Sequence, residues 1–211
     1  MTKKRLDLAN WNRREHFDYF LNFEEPFHGL VVNLDCTAVY QRAKQAGDSF
    51  FLHYLHLSLR AINANEVFRY RIEGTQVFDY DRINVSTTVT REDHTFGFCR
   101  ILFDEDFQQF KQNAQSAMQA VRERSGLCMI DEDRPLDVIH FSTLPWIKFT
   151  GLSHARHFPA RDSVPKISVG KCTLEGDRRV MPVAINVHHG LVDGYHVHRF
   201  VEYLQGLFNA A

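Results

Sequence analysis

The sequence predicts an α+β fold in which helices cover one face of a mostly antiparallel or mixed sheet, and three observations predict it. Several stretches between Phe68 and Leu102, and again between Asp137 and Val187, carry the period-two apolar alternation of half-buried strands. Other stretches carry apolar residues at helical spacing. The two kinds do not alternate regularly along the chain, as a doubly wound parallel sheet would require. No internal repeat, low-complexity tract or Gly/Ser/Pro-rich linker interrupts the 211 residues, so 1–211 is read as one domain.

The elements follow in order. Asn10 to Leu21 reads as a first helix, with Asn10 as a candidate N-cap and Trp11, Phe17 and Phe20 on one face. Leu30 to Asp35 is a strand. Helices are expected from Thr37 to Gln45 and from Ser49 to Asn65, the second buried because its apolar and aromatic face is almost continuous. Strands at Phe68–Ile72, Gln76–Tyr80, Ile83–Thr90 and Phe96–Leu102, with a turn at Glu73-Gly74, indicate an antiparallel run. Asp104 to Arg124 is a long amphipathic helix that opens with three acids, at the end where the helix dipole favours them. Ser125 to Arg134 is a loop. Strands are expected at Asp137–Ser142, Ile147–Leu152, Lys166–Leu174 and Arg178–Val187, the last two joined through Glu175-Gly176-Asp177. Gly194 to Phe208 closes the chain as a helix.

Composition narrows the function. A hydrophobic fraction of 44% supports a full core, and a net charge of −1 gives no general attraction to nucleic acid or to an anionic membrane. The 18 Phe, 7 Tyr and 2 Trp serve the core and the lining of a pocket. No run approaches the roughly 20 apolar residues that span a bilayer, and no apolar segment follows the charged start, so a cytoplasmic protein is expected. The 4 cysteines, Cys36, Cys99, Cys128 and Cys172, are scattered without a C-x-x-C pair and read as free thiols.

One stretch carries chemistry: Val187-His188-His189-Gly190-Leu191-Val192-Asp193-Gly194. A β-branched strand ends in two histidines, followed by an acid, a glycine and a helix. An imidazole at a strand end is open to a substrate, and its neutral form accepts a proton near pH 7 without help from a metal. Taken singly, the residues say less. Ser142 would be an ordinary loop serine, Arg13 a solvated helix arginine, Asp193 a turn or cap residue, and Lys171 a surface residue.

Together with the rest of the chain, this stretch resembles the chloramphenicol acetyltransferase family. The H-H-x-x-x-D-G pattern is shared with dihydrolipoamide acyltransferases and condensation domains. Trp11-x-Arg13-Arg14-Glu15-His16-Phe17, Ser142-Thr143-Leu144-Pro145-Trp146 and the run from Gly176 to His189 narrow it to the one family, over nearly the whole chain. The resemblance implies the two-layer coenzyme A-dependent acyltransferase fold, with acetyl-CoA as co-substrate and no metal. It also implies a homotrimer whose active sites lie at subunit boundaries, with His189 facing a pocket built largely by a neighbour.

The same resemblance assigns roles. His189 is the general base that takes the proton of an acceptor hydroxyl, its other ring nitrogen bonded to its own carbonyl. Ser142 donates to the oxyanion, and Asp193 pairs with Arg13 to hold the loop. Ser168 stands where a threonine usually helps to bind a water. Trp146, Lys171 and Phe51 line the coenzyme channel, while Ser49 replaces a frequent lysine and Cys172 a common tyrosine. Tyr19, Phe20 and Phe96 keep an aromatic acceptor pocket. Glu24, Pro26, His28, Leu152 and His154 replace apolar pocket positions, which points to a polar acceptor or a more open pocket and makes chloramphenicol a poor substrate by expectation. The rivals are an acyltransferase for another hydroxyl or amine and, from a different class, a non-catalytic ligand-binding module on the same fold.

Other signals lead nowhere. His154-x-x-His157 and His196-x-His198 invite a metal, but on a helix His196 and His198 point about 200° apart. No G-x-S-x-G, G-x-G-x-x-G or phosphate-binding P-loop pattern occurs.

Overall fold

The computed structural model describes residues 2–129, 135–155 and 162–210. In chain order the elements are β1 (Lys3–Arg5), α1 (Arg14–Phe20), β2 (Phe27–Asp35), α2 (Thr37–Ala46), α3 (Phe50–Ala64), α4 (Glu66–Arg69), β3 (Tyr70–Glu73) and β4 (Gln76–Tyr80). They continue with β5 (Asn84–Thr90), β6 (Phe96–Ile101), α5 (Phe107–Arg122), β7 (Val138–Thr143), β8 (Lys166–Val169), β9 (Thr173–Glu175), β10 (Arg178–His188) and α6 (Gly194–Asn209).

The large sheet runs β2-β10-β8-β7-β5-β6, with β9 also paired to β10. The pairs β5·β7 and β7·β8 are parallel; β10 meets β2 and β8, and β5 meets β6, antiparallel. The fold is therefore α+β with a mixed sheet, as expected. Period two divides β10 cleanly: Met181, Val183, Ile185 and Val187 enter the core. In register with them stand Ile167 and Val169 on β8 and Ile139 and Phe141 on β7. Against this apolar side pack the helices, with α3 in contact with α2, α5 and α6. Every residue of α3 from Leu52 to Leu59 is buried, and each Leu so buried contributes about 2 kcal/mol. Asp106 caps α5 by accepting a hydrogen bond from the Gln109 amide at 2.8 Å, the use to which the acid-rich helix start is put.

The other side of the sheet is polar. One row across it is Arg100, Ser86, His140, Lys166 and Asn186; the next contains Phe98 and Thr88, then Ser142, Ser168 and Ala184.

Four expectations are corrected. The first helix begins at Arg14 rather than Asn10, because Asn10 is held in a turn by its amide bonds to Asp7. The residues 66–69 form a helical turn and the strand starts only at Tyr70: Phe68 is fully buried and stacks on Phe200 of α6 at 4.5 Å, which keeps this turn on the course of α3. The run from 68 to 102 divides between two sheets, since β3 and β4 join β1 in a small sheet of order β1-β4-β3. The guanidinium of Arg71, fully buried, ties the two sheets by donating to the carbonyls of Phe68, Tyr70, Leu136 and Val138.

The fourth correction lies at 147–152, which is not a strand. This segment crosses β8 where that strand ends: Lys171 N–H donates to Ile147 O at 2.8 Å, and a Cβ on Gly170 would meet Ile147 O at 2.8 Å and the Phe149 ring at 2.9 Å. Only glycine admits so close a crossing, and the single expected strand 166–174 is accordingly broken into β8 and β9. The hairpin from β9 to β10 forms as expected, with Gly176 at φ +60°, the conformation a primed turn needs.

Candidate active site

His189 follows the last residue of β10, and its N–H extends the ladder by donating to Pro26 O at 2.8 Å. The imidazole is half-buried. Phe20, the last residue of α1, lies parallel to it, with ring centroids 4.1 Å apart and planes 4° from coplanar. The His28 ring approaches from β2 at 4.3 Å. Burial lowers the pKa of His28, and its Nε2–H donates to Val192 O at 3.0 Å, so this neighbour is a neutral imidazole fixed in one tautomer. Aromatic walls on both faces hold the His189 ring plane and limit its hydration. Its Nδ1 is buried with no hydrogen-bond partner, so the expected bond to its own carbonyl is not formed in this structure.

The loop behind the base is pinned by the pair that the family resemblance implies. Arg13 Nη1 donates to Asp193 Oδ2 at 2.5 Å, and Arg13 Nη2 lies 3.4 Å from His189 O. Asp193 is also the N-cap of α6, its Oδ1 accepting from the amides of Tyr195 at 3.0 Å and His196 at 3.3 Å. Burial works against the charged form of Asp193, but the Arg13 guanidinium and the His196 amide outweigh it and bring its pKa down to about 2. His196, considered from the sequence only as a metal ligand, closes this cap through its ring nitrogen. His188 is buried, its ring edge-on to Phe27 at 5.8 Å and its Nδ1 accepting from Gly190 N–H.

Ser142 and Ser168 stand side by side on β7 and β8, on the polar side of the sheet. Ser142 is inside the strand rather than on a loop. Ser168 is fully buried, with its Oγ 3.5 Å from His154 Nε2. The register fixes how far both lie from His189. Ser168 pairs with Ala184, and His189 is five residues further along that line, about 17 Å at the usual rise of an extended chain. One acyl-transfer intermediate is only a few ångströms across. Ser142 and His189 of the same chain cannot serve the same intermediate.

The expected acceptor residues divide in the same way. Tyr19, Phe20 and His28 surround His189 or join its aromatic cluster, in which Tyr19 is 5.1 Å and Phe23 5.0 Å from Phe20. Glu24 nearby is exposed, so its carboxylate carries no burial cost. Phe96 belongs to β6, at the opposite edge of the sheet from β2, and packs edge-on against Phe98 at 5.6 Å. Leu152 and His154 lie half-buried on the segment that crosses toward Ser168; burial, then the nearby Lys166, lowers the pKa of His154. The two half-buried imidazoles thus both have polar neighbours. His157 lies outside the described residues. Among the described residues, no three His, Cys, Asp or Glu side chains gather to hold a metal, and no helix is long and apolar enough to cross a membrane.

Trp146 and Lys171 are brought together by the bond from Lys171 N–H to Ile147 O. Trp146 is 73% exposed, Ile147 52% and Leu174 65%, an apolar rim beside the exposed Lys171. Phe51 is edge-on to Tyr54 at 5.6 Å, and Ser49 stands at the start of α3 without capping it through its side chain. Two open depressions lie elsewhere: about 610 Å³ beside Arg5, Asp7 and Arg14, and about 380 Å³ beside Asp48, His53 and His56. His189 borders neither.

A contact invisible in the sequence is that of Cys36 and Cys172, whose sulfur atoms are 3.4 Å apart although 136 residues separate them. No spacing rule could have found it, because the two residues approach from opposite sides of β10.

Comparison with known proteins accords with this geometry. The family described as chloramphenicol acetyltransferase matches residues 1–205. A chloramphenicol acetyltransferase of Clostridium perfringens is 27% identical over 206 residues, covering 96% of this chain and 93% of the relative. One of Bacillus pumilus is 29% identical over 205 residues, covering 97% and 92%. A solved chloramphenicol acetyltransferase structure superposes with a TM-score of 0.85 at 31% identity, covering 98% of this chain and all of the other. The chain belongs to the chloramphenicol acetyltransferase family.

Proposed function

We propose that this protein transfers the acetyl group of acetyl-CoA to the hydroxyl of a small-molecule acceptor, with His189 as general base. The observation that carries the reading is the His189 ring held between Phe20 and His28, above a loop locked by Arg13 and Asp193. His189 Nε2 accepts the proton as the acceptor oxygen attacks the thioester carbonyl. The tetrahedral oxyanion takes a hydrogen bond from a Ser142 hydroxyl. Collapse breaks the C–S bond, and the departing thiolate recovers the proton from His189. Trp146, Lys171 and Phe51 bind the coenzyme, the exposed Trp146 face and the Lys171 ammonium matching its apolar and phosphate parts.

The wide separation of Ser142 and His189 along one chain supports a site completed by a second copy, and the family resemblance supports a cytoplasmic homotrimer of single-domain chains. The base of one subunit then faces the Ser142, Ser168, Phe96 and His154 of its neighbour. A pocket with Glu24, His28 and His154 at its margins favours an acceptor with several hydrogen-bonding groups over chloramphenicol. Assays of acetyl-CoA-dependent thiol release across chloramphenicol and a panel of more polar alcohols test this. The expected result is turnover with a kcat/KM for chloramphenicol at least about tenfold below that of the best polar alcohol. Turnover of none of them contradicts acetyl transfer, and chloramphenicol as the best acceptor contradicts the pocket reading alone.

A further inference from the structure

The four thiols are not equivalent. Cys36 and Cys99 are fully buried, and burial pushes the Cys99 thiol up to about 11. Cys172 is only half-buried, on the turn between β8 and β9, directly after Lys171. Its sulfur lies 3.4 Å from that of Cys36. Arg179, on β10, supplies a positive charge beside it. That guanidinium is positioned over the Tyr40 ring at 3.8 Å, and the Arg179 N–H is tied to Thr37 Oγ1 at 2.8 Å. The hydrogen-bond contact with Cys36, opposed by burial and reinforced by Arg179, lowers the pKa of the Cys172 thiol, while that of Cys36 is raised. A thiolate of this kind, part-exposed and beside a cation, is the reactive form of cysteine.

We propose that Cys172 is a thiol-modification site whose thiolate is captured by small disulfides and ends as a mixed disulfide at the rim of the coenzyme groove. The Cys172 sulfur forms a new S–S bond to one half of the disulfide. The old S–S bond breaks, and the other half leaves as a thiolate that takes a proton from water. One protein thiol is oxidised and one small thiol is released.

The adduct is the end of the sequence, because Cys36 is badly placed to resolve it. Cys36 donates its N–H to Arg179 O on one side of β10, and Cys172 precedes Thr173, which pairs with Val180 on the other. With β10 between them the two sulfur atoms stand 3.4 Å apart, well beyond the roughly 2 Å of an S–S bond, so a direct disulfide needs the chain to move. Cys36, whose Sγ also lies 3.3 Å from Arg179 O, is therefore a contact of the Cys172 sulfur rather than its resolving thiol. The consequence for activity rests on the proposed coenzyme groove; the chemistry at Cys172 does not.

The test uses the full chain, freed of reductant, with oxidised glutathione as probe. Intact mass should show one glutathionyl adduct, and peptide mapping should place it on Cys172. Cys36→Ala should slow its formation on the order of tenfold, and Cys172→Ser should abolish it. Loss of two hydrogens without an adduct, or an adduct on Cys128 with Cys172 free, overturns the proposal, as does a protein that does not react. The KM for acetyl-CoA, measured by separating the acetylated product, should rise several-fold in the adduct and recover with dithiothreitol. An adduct on Cys172 that leaves KM unchanged retains the modification site and overturns the coenzyme-groove assignment.

Discussion

The two halves of the candidate site are built to different degrees of completion. At the end of β10 a single chain supplies the packing around the base: Phe20 and His28 beside its ring, Arg13 at its carbonyl and Asp193 closing the loop. On the polar side of the sheet, Ser142 and Ser168 are equally well positioned by parallel pairing, with His154 3.5 Å from Ser168, but the His189 of their own chain lies far from them. A catalytic centre that needs both a base and an oxyanion donor is thus assembled in two places about 17 Å apart. The distance between the two halves supports the proposed site between copies.

The largest expected effect falls on the half that is complete. His189→Ala removes the proposed general base and should lower kcat by about 10³-fold or more, with an unchanged circular dichroism spectrum and melting temperature. Retained transfer activity would remove His189 from the mechanism. Ser142→Ala on the other half should lower kcat about 100-fold with little change in either KM, since the lost hydrogen bond forms only in the transition state. A rise in KM alone would make Ser142 a binding residue.

The smallest effect concerns the pin between Arg13 and Asp193. Because the Asp193 carboxyl is depressed to about 2, its charged form contributes stability above pH ~4, and that contribution is lost as the pH falls through about 2. Asp193→Asn keeps a cap for α6 but loses the ion pair. It should cost about 1 kcal/mol at neutral pH, and its melting temperature should converge on that of the unaltered protein toward pH 2. A difference independent of pH would mean that the ion pair contributes nothing.

How much of this was legible beforehand depends on whether a feature is local. The strand Gln76–Tyr80 and the Gly176 hairpin were readable because turn chemistry and period-two alternation both act over a few neighbours. His189, Asp193 and Arg13 were legible as a motif, and the structure places them in contact. The division of the acceptor residues was not, because it depends on strand order: Phe96 is on β6 and His28 on β2, the two edges of the large sheet. Apolar alternation at 147–152 was read as a strand, whereas those side chains serve a crossing over Gly170. Pattern reports which side chains are buried, but the partner that buries them is set by tertiary contact. The thiol pair of Cys36 and Cys172 illustrates the same limit.

The central claim is that the base and the oxyanion donor of one active centre belong to different chains, and mixing two disabled proteins tests it most directly. His189→Ala and Ser142→Ala chains, unfolded together in equal amounts and refolded, should recover about a quarter of the unaltered activity, the fraction of interfaces that pair an intact His189 with an intact Ser142 in a randomly assembled ring. Activity no greater than the average of the two variants refolded separately would contradict it, and would place both residues in one chain's own site.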